Sequence, residues 1–149
     1  MSDIRFYHLT RTTLERALPQ MLEKTLERRQ RAVVMASSEE RVEALNAWLW
    51  TYNDRSFLPH GSARDGHGAH QPIWLTARDE TPNGAQVLFL TDGATCARLG
   101  DYARCAVLFD GNDPAAVAAA REQWRALRDT GHELTYWQQD ERGRWAEKT

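Results

Sequence analysis

The sequence predicts an α/β domain with a doubly wound, mostly parallel sheet and helices on both of its faces. Three observations carry that expectation. Apolar runs of strand length alternate with segments of helical period along most of the 149 residues. The run Ala32-Val-Val-Met-Ala36 contains no polar residue, as a strand buried on both faces requires, and it feeds directly into Ser37 and Ser38 as caps and Glu39 and Glu40 as first-turn acids. Asp113-Pro114, placed after Ala103-Arg-Cys-Ala-Val-Leu-Phe109, repeats the strand-then-capped-helix arrangement late in the chain.

Taken in order, Ile4, Phe6, His8 and Leu9 form a partly alternating first strand. Thr12 or Thr13 caps a helix whose apolar face is Leu14, Ala17, Leu18, Met21, Leu22, Thr25 and Leu26. Arg28, Arg29 and Arg31 crowd its far end, where cations complement the helix dipole. After the second strand, Val42, Leu45 and Leu49 recur at helical spacing with Trp48 beside them. That helix runs into Trp50, Tyr52 and Phe57, more aromatic surface than one helix end normally buries, next to Arg55.

The segment 54–71 holds Gly61, Gly66, Gly68 and three histidines without periodicity, and reads as a mobile surface loop. Pro72–Thr76 and Gln86–Leu90 resume strand character around a Pro82-Asn-Gly84 turn and are expected to be neighbours. The helix opened by Pro114 should run to about Thr130, with Gly131 ending it. Glu133–Trp137 is expected as a last, edge strand, and 140–149 as a polar tail. The whole chain, 1–149, reads as a single Rossmann-like domain without a phosphate-binding loop.

Composition bounds the function. With 42% hydrophobic and 27% charged residues the chain is ordinary globular protein. No basic leader precedes an apolar run and no stretch is long enough to span a bilayer, so a cytoplasmic location and no membrane partner are expected. A net charge of -2 argues against a whole-domain basic field for gripping duplex DNA, although a local basic stripe remains open. Cys96 and Cys105 form no CxxC motif and read as reduced thiols.

GxxxxGK[ST], GxGxxG after the first strand and GxSxG are all absent, which removes the commonest nucleotide-hydrolysing, dinucleotide-binding and acyl-transfer chemistries. No cofactor is expected. His60, His67 and His70, with Asp65 among them, are the one constellation with metal-ligand chemistry, but their spacing is uncharacteristic. No metal site is assigned to them. His60 is expected instead to hydrogen-bond the aromatic loop.

The late helix is more informative. At 100° per residue, Val117, Arg121, Trp124 and Arg128 fall within about 60° of one another, Arg125 flanks them, and Ala120 and Leu127 lie on the other side of Trp124. One edge of Trp124 can therefore enter the core while the other faces a stripe of arginines, suited to a ligand both acidic and apolar. A solvated basic face is the alternative from pattern alone.

Phe6-Tyr7, Leu45-Asn-Ala-Trp-Leu-Trp50, Ser56-Phe-Leu-Pro-His60, Pro72-Ile-Trp-Leu75 and Arg121-Glu-Gln-Trp-Arg-Ala-Leu-Arg-Asp-Thr-Gly131, in that order, resemble the chi-subunit family of bacterial DNA polymerase III holoenzyme. The resemblance implies a non-catalytic accessory component of a DNA-directed DNA polymerase. It implies binding of the acidic, Pro-Phe-ending C-terminal tail of single-stranded DNA-binding protein, and a link through a psi subunit or other clamp-loader component, with DNA contacted only indirectly or weakly. The implied tail-binding residues are Trp50, Phe57, Arg121, Trp124 and Arg125, with Arg128 next in line. The sequence departs from the family pattern at Val117, where a lysine can stand, and at Asp110, where an apolar residue can. Two alternatives stay open: a metal-dependent hydrolase using His60, His67 and His70, and a single-stranded nucleic-acid binder using exposed Trp and Arg.

Overall fold

The computed structural model describes residues 2–52, 59–62 and 65–148. In chain order the elements are β1 (Asp3–Leu9), α1 (Leu14–Glu27), β2 (Ala32–Met35), α2 (Glu39–Thr51), β3 (Gly61–Ser62), β4 (Ile73–Thr76), β5 (Val87–Leu90), β6 (Arg104–Asp110), α3 (Pro114–Leu127), β7 (Glu133–Gln139) and β8 (Trp145–Lys148). The strands form one sheet in the order β3-β4-β2-β5-β6-β1-β7-β8. Every neighbouring pair is parallel except β7 with β8. The α/β class, with a mostly parallel sheet, is thus the one the alternating pattern predicts.

The sheet separates two apolar layers. On one face Leu18 and Leu22 of α1 and Val42, Leu45 and Leu49 of α2 pack with Val34, Leu75, Phe89 and Leu108. On the other, Ala120 of α3 packs with Ile4, Phe6, Val33, Leu88 and Val107. Alternate residues of one strand supply opposite layers, which is the two-residue period of a pleated strand seen from both sides. All four residues of β2 are buried, as its unbroken apolar run requires.

Two expected caps form. Ser38 Oγ accepts a hydrogen bond from the Arg41 amide at 3.2 Å, and Asp113 Oδ1 accepts one from the Ala115 amide at 3.0 Å. Helix α2 is fixed to the start of α1 by the Trp48 indole, whose Nε1 donates to the Glu15 carbonyl at 2.6 Å.

Several boundaries differ from the sequence expectation. β4 and β5 are not neighbours, because β2 lies between them, pairing Ala32 with Ile73 on one side and Val87 on the other. The strand with the most apolar surface takes a doubly flanked position, where both ladders and both faces are covered. β7 is not the edge. Within the expected polar tail, Asp140 Oδ1 accepts from the Arg142 and Arg144 amides and Gly143 adopts φ 78, a tight turn that brings β8 back alongside β7. Helix α3 ends at Leu127 rather than near Thr130, and Arg128 caps it in an extended conformation with ψ 138.

The 54–71 segment is also more ordered than a loop without periodicity suggests, at those of its positions that are described. Gly61 and Ser62 add β3 to the sheet, and His60, Gly61 and Ser62 are buried. Asp65 holds this corner, accepting from the Ser62 amide at 3.0 Å and the Asn46 side chain at 3.2 Å. These donors, the Ser62 amide foremost, keep its carboxyl below the usual range despite some desolvation. Cys105 is a core thiol pushed up to about 12 by burial, and Cys96 is half-buried beside Asp79; both are free.

Candidate peptide-binding surface

Helix α3 presents the surface that the sequence singled out. Its alanine-rich first half lets it lie close on the sheet, with Ala120 buried against β1 and β6. One turn later Trp124 is half-buried. Its ring meets Phe6 edge-on at 5.2 Å between centroids and Tyr136 at 6.1 Å, the T-shaped geometry that aromatic quadrupoles favour. Part of the indole stays open, and exposed Arg121 stands three residues before it, a neighbour on the helix surface.

Behind Trp124 the aromatic cluster continues. Tyr136 packs on Phe109 at 6.1 Å and on His8 at 5.8 Å, and His8 Nδ1 lies 2.5 Å from the Tyr136 hydroxyl. Burial lowers the His8 pKa from 6.5, and the positive charge of Arg121 lowers it further. Burial raises the Tyr136 pKa, with Arg121 opposing. Arg121 therefore acts at close range on two groups of the sheet and stands where an incoming carboxylate would find both a cation and an aromatic wall.

The other arginines are placed differently. Arg125 Nη1 lies 2.6 Å from Glu122 on the same helix, both side chains well exposed. Such a pair contributes little to stability and gives way readily to a competing anion. Arg128 leaves the helical direction at the C-cap, so the expected stripe of three arginines is two on the helix and one beyond it.

Trp50 is not part of this surface. It is 49% exposed, with its ring 4.3 Å from that of His60, at the end of α2. His60 Nε2 lies 3.0 Å from the Asn46 carbonyl, which ties this histidine back to α2; the aromatic loop it was expected to hydrogen-bond lies outside the described residues. β3, which follows His60, and β1, under Trp124, are separated by five strand steps, about 24 Å at the usual strand spacing. The two helices also lie on opposite faces. Phe57 lies outside the described residues.

His8, Tyr136 and Phe109 were missed from the sequence as site components. Their contacts depend on the parallel register, in which Phe6 stands opposite Tyr136 and His8 opposite Phe109, and no local pattern encodes it. His67 and His70 are exposed, and the described residues contain no group of three or more His, Cys, Asp or Glu side chains placed to share a metal.

The carboxyl ends of β1, β5 and β6 frame a cleft of about 710 Å³, at the position where doubly wound sheets hold ligands. In the turn from β1 to α1 the amides of Thr10, Arg11 and Thr12 all point at one atom, Gln139 Oε1, at 3.2, 2.9 and 3.3 Å. Three successive N–H groups converging in this way form the concavity that cradles phosphate in nucleotide-binding relatives of the fold. Here the protein's own carboxamide fills it.

These features define an α/β domain of Rossmann-like architecture that closes its own phosphate-type loop and turns an aromatic, cationic helix face outward. A family described as DNA polymerase III chi subunit, HolC, matches residues 1–135. A Rickettsia prowazekii protein named "Probable DNA polymerase III subunit chi" is 32% identical over 105 residues, covering 68% of this chain and 64% of that protein, so the match spans slightly less than two thirds of the relative's length. The chain belongs to the DNA polymerase III chi subunit family. Among the described residues, no helix is long and apolar enough to cross a membrane.

Proposed function

We propose that the protein is a non-catalytic accessory subunit of the DNA polymerase III holoenzyme that binds the acidic C-terminal tail of single-stranded DNA-binding protein and links it to the clamp loader. The observation that carries this reading is exposed Arg121 one helical turn before half-buried Trp124, backed by the Phe6–Tyr136 aromatic cluster. A guanidinium fork takes the terminal carboxylate, the aromatic wall takes the adjacent Phe ring, and Arg125 and Arg128 attract the acidic residues upstream. Val117, half-buried against the core, adds no charge to this face, so recognition of the acidic stretch rests on the arginines.

Trp50, on the opposite face, is too far away to share the terminal residue of that peptide. Its half-exposed ring suits a second partner, and the psi subunit or another clamp-loader component fits the linking role. Phe57 joins this proposal only through its sequence position near Trp50.

Calorimetry decides the tail-binding reading. A peptide of acidic residues ending in Pro-Phe with a free carboxylate should bind, and the same peptide amidated at its C-terminus should not. Equal binding of the two peptides would remove Arg121 as a carboxylate receptor and this reading with it.

A further inference from the structure

The face of the sheet opposite α3 is incompletely covered. Helices α1 and α2 shield β2, β4, β5 and β6, but among the described residues no helix covers this face over most of β1, β7 and β8, where Arg5, Tyr7, Thr135, Trp137 and Trp145 are half-buried rather than buried. Between α1 and the β7–β8 hairpin lies a cavity of about 470 Å³. Arg5 and Arg104 stand on its floor, and Arg16, Lys24 and Arg28 along its helical wall. Among the described residues, no Asp or Glu lines it.

The charge is only partly spoken for. Arg5 and Arg104 share Asp3, at 3.1 and 3.6 Å. Arg16, Lys24 and Arg28 are exposed, and among the described residues none of them lies within ion-pair distance of a carboxylate. They recur along one side of α1, and from Arg16 to Arg28 that side spans about 18 Å. On a domain with net charge -2 these residues make a local basic stripe.

The second component is aromatic. Tyr7 and Trp137 are stacked at 6.4 Å with an interplanar angle of 24°, Trp145 meets Tyr7 edge-on at 5.0 Å, and the Arg5 guanidinium lies 5.6 Å from the Trp137 ring. All three rings are half-buried and line the cavity. Cations along one wall with aromatic rings on the other match a strand that carries phosphates on one side and flat bases on the other. An acidic peptide would satisfy the cations and leave the rings without a partner.

We propose that this groove binds single-stranded DNA directly, its phosphates running along Arg16, Lys24 and Arg28 and its bases packing on Trp137 and Trp145. The site lies on the face of the sheet opposite the Arg121–Trp124 surface. A single-stranded DNA-binding protein held by its tail on one face and the strand itself on the other could be engaged together. Exposed Glu147, cross-strand from Trp137, is an acid at the rim and sets a limit on affinity.

The test is fluorescence anisotropy of labelled oligothymidylate with the full chain at low salt. Binding should weaken with salt at a log–log slope of about −2 for three phosphate contacts. Arg16→Glu with Lys24→Glu, both at exposed helix positions, should weaken it at least tenfold and flatten the slope by about 1.4. Trp137→Leu should weaken it about fivefold or more while Trp137→Phe retains it, with thermal unfolding confirming that both variants fold. An excess of the acidic Pro-Phe peptide should not displace the oligonucleotide. No binding at low salt, equal binding of duplex DNA or polyglutamate, or displacement by the peptide would each overturn the proposal, and none of these results depends on whether the tail itself binds.

Discussion

Nδ1 of His8 and the hydroxyl of Tyr136 stand 2.5 Å apart in a half-buried contact between β1 and β7, within the field of Arg121. Burial first, and the Arg121 charge after it, hold the imidazole below its ordinary 6.5, so the unfolded chain takes up this proton more readily than the folded one. Stability from this group is complete above about pH 6.5 and is lost as pH falls through the window beneath it. Denaturant midpoints across that window should fall with pH in the natural protein and fall less in His8→Gln. A carboxylate bound at Arg121 would offset its charge, so peptide binding in the same window should take up protons, read as a buffer-dependent enthalpy.

Arg121→Ala should weaken binding of a free-carboxylate peptide by about 1.5–3 kcal/mol, the usual cost of losing a charge-assisted contact. Arg125→Ala should mainly slow association and flatten the salt dependence of binding, because Arg125 already has a solvated partner in Glu122. Combining Arg121→Ala with an amidated peptide should cost little more than either change alone. Full additivity would move the carboxylate to another arginine, with Arg128 next in line.

Trp124→Ala and Trp50→Ala should separate by stability. Trp124 has two edge-on ring contacts and a half-buried indole, so its removal should cost about 2–4 kcal/mol. Trp50, 49% exposed, should cost about 1 kcal/mol or less. Equal losses in thermal unfolding would place Trp50 in the core and end its role as a partner contact.

Gly111 follows β6 directly beneath the imidazole. A Cβ there would fall 1.9 Å from His8 Cδ2 and 2.1 Å from Nε2, so Gly111→Ala must either swing the ring away from Tyr136 or shift the turn into α3. A destabilisation of about 1–3 kcal/mol is expected, with weaker peptide binding. Adding His8→Ala should restore much of the stability, and a double variant no better than the single one would place the strain in the backbone, where the Leu9 carbonyl stands 2.9 Å away.

Elements with strong local signals were legible. The unbroken β2 run, the Ser38 and Asp113 caps and the apolar face of α1 each depend on residues close in sequence. Strand neighbours were not, since the place of β2 between β4 and β5 depends on which ladder buries more surface. The tail strand β8 was hidden because Trp145-Ala-Glu-Lys148 has too little apolar pattern to announce pairing. At the site, Arg121 and Trp124 were visible from helical period alone. Their coupling to His8, Phe109 and Tyr136 waits on a parallel register fixed by residues more than a hundred positions away.

That register bears on the order of events during synthesis. β1 emerges first, yet both its neighbours, β6 and β7, belong to the last third of the chain. Contacts of such long sequence separation must bear the entropy of closing the intervening chain before they stabilise anything, which slows folding. A nascent chain halted before residue 104 has α1 and α2 but no partner for its first strand. It should stay sensitive to protease, become resistant only once β7 has cleared the ribosome, and until then leave Ile4 and Phe6 to whatever chaperone meets them.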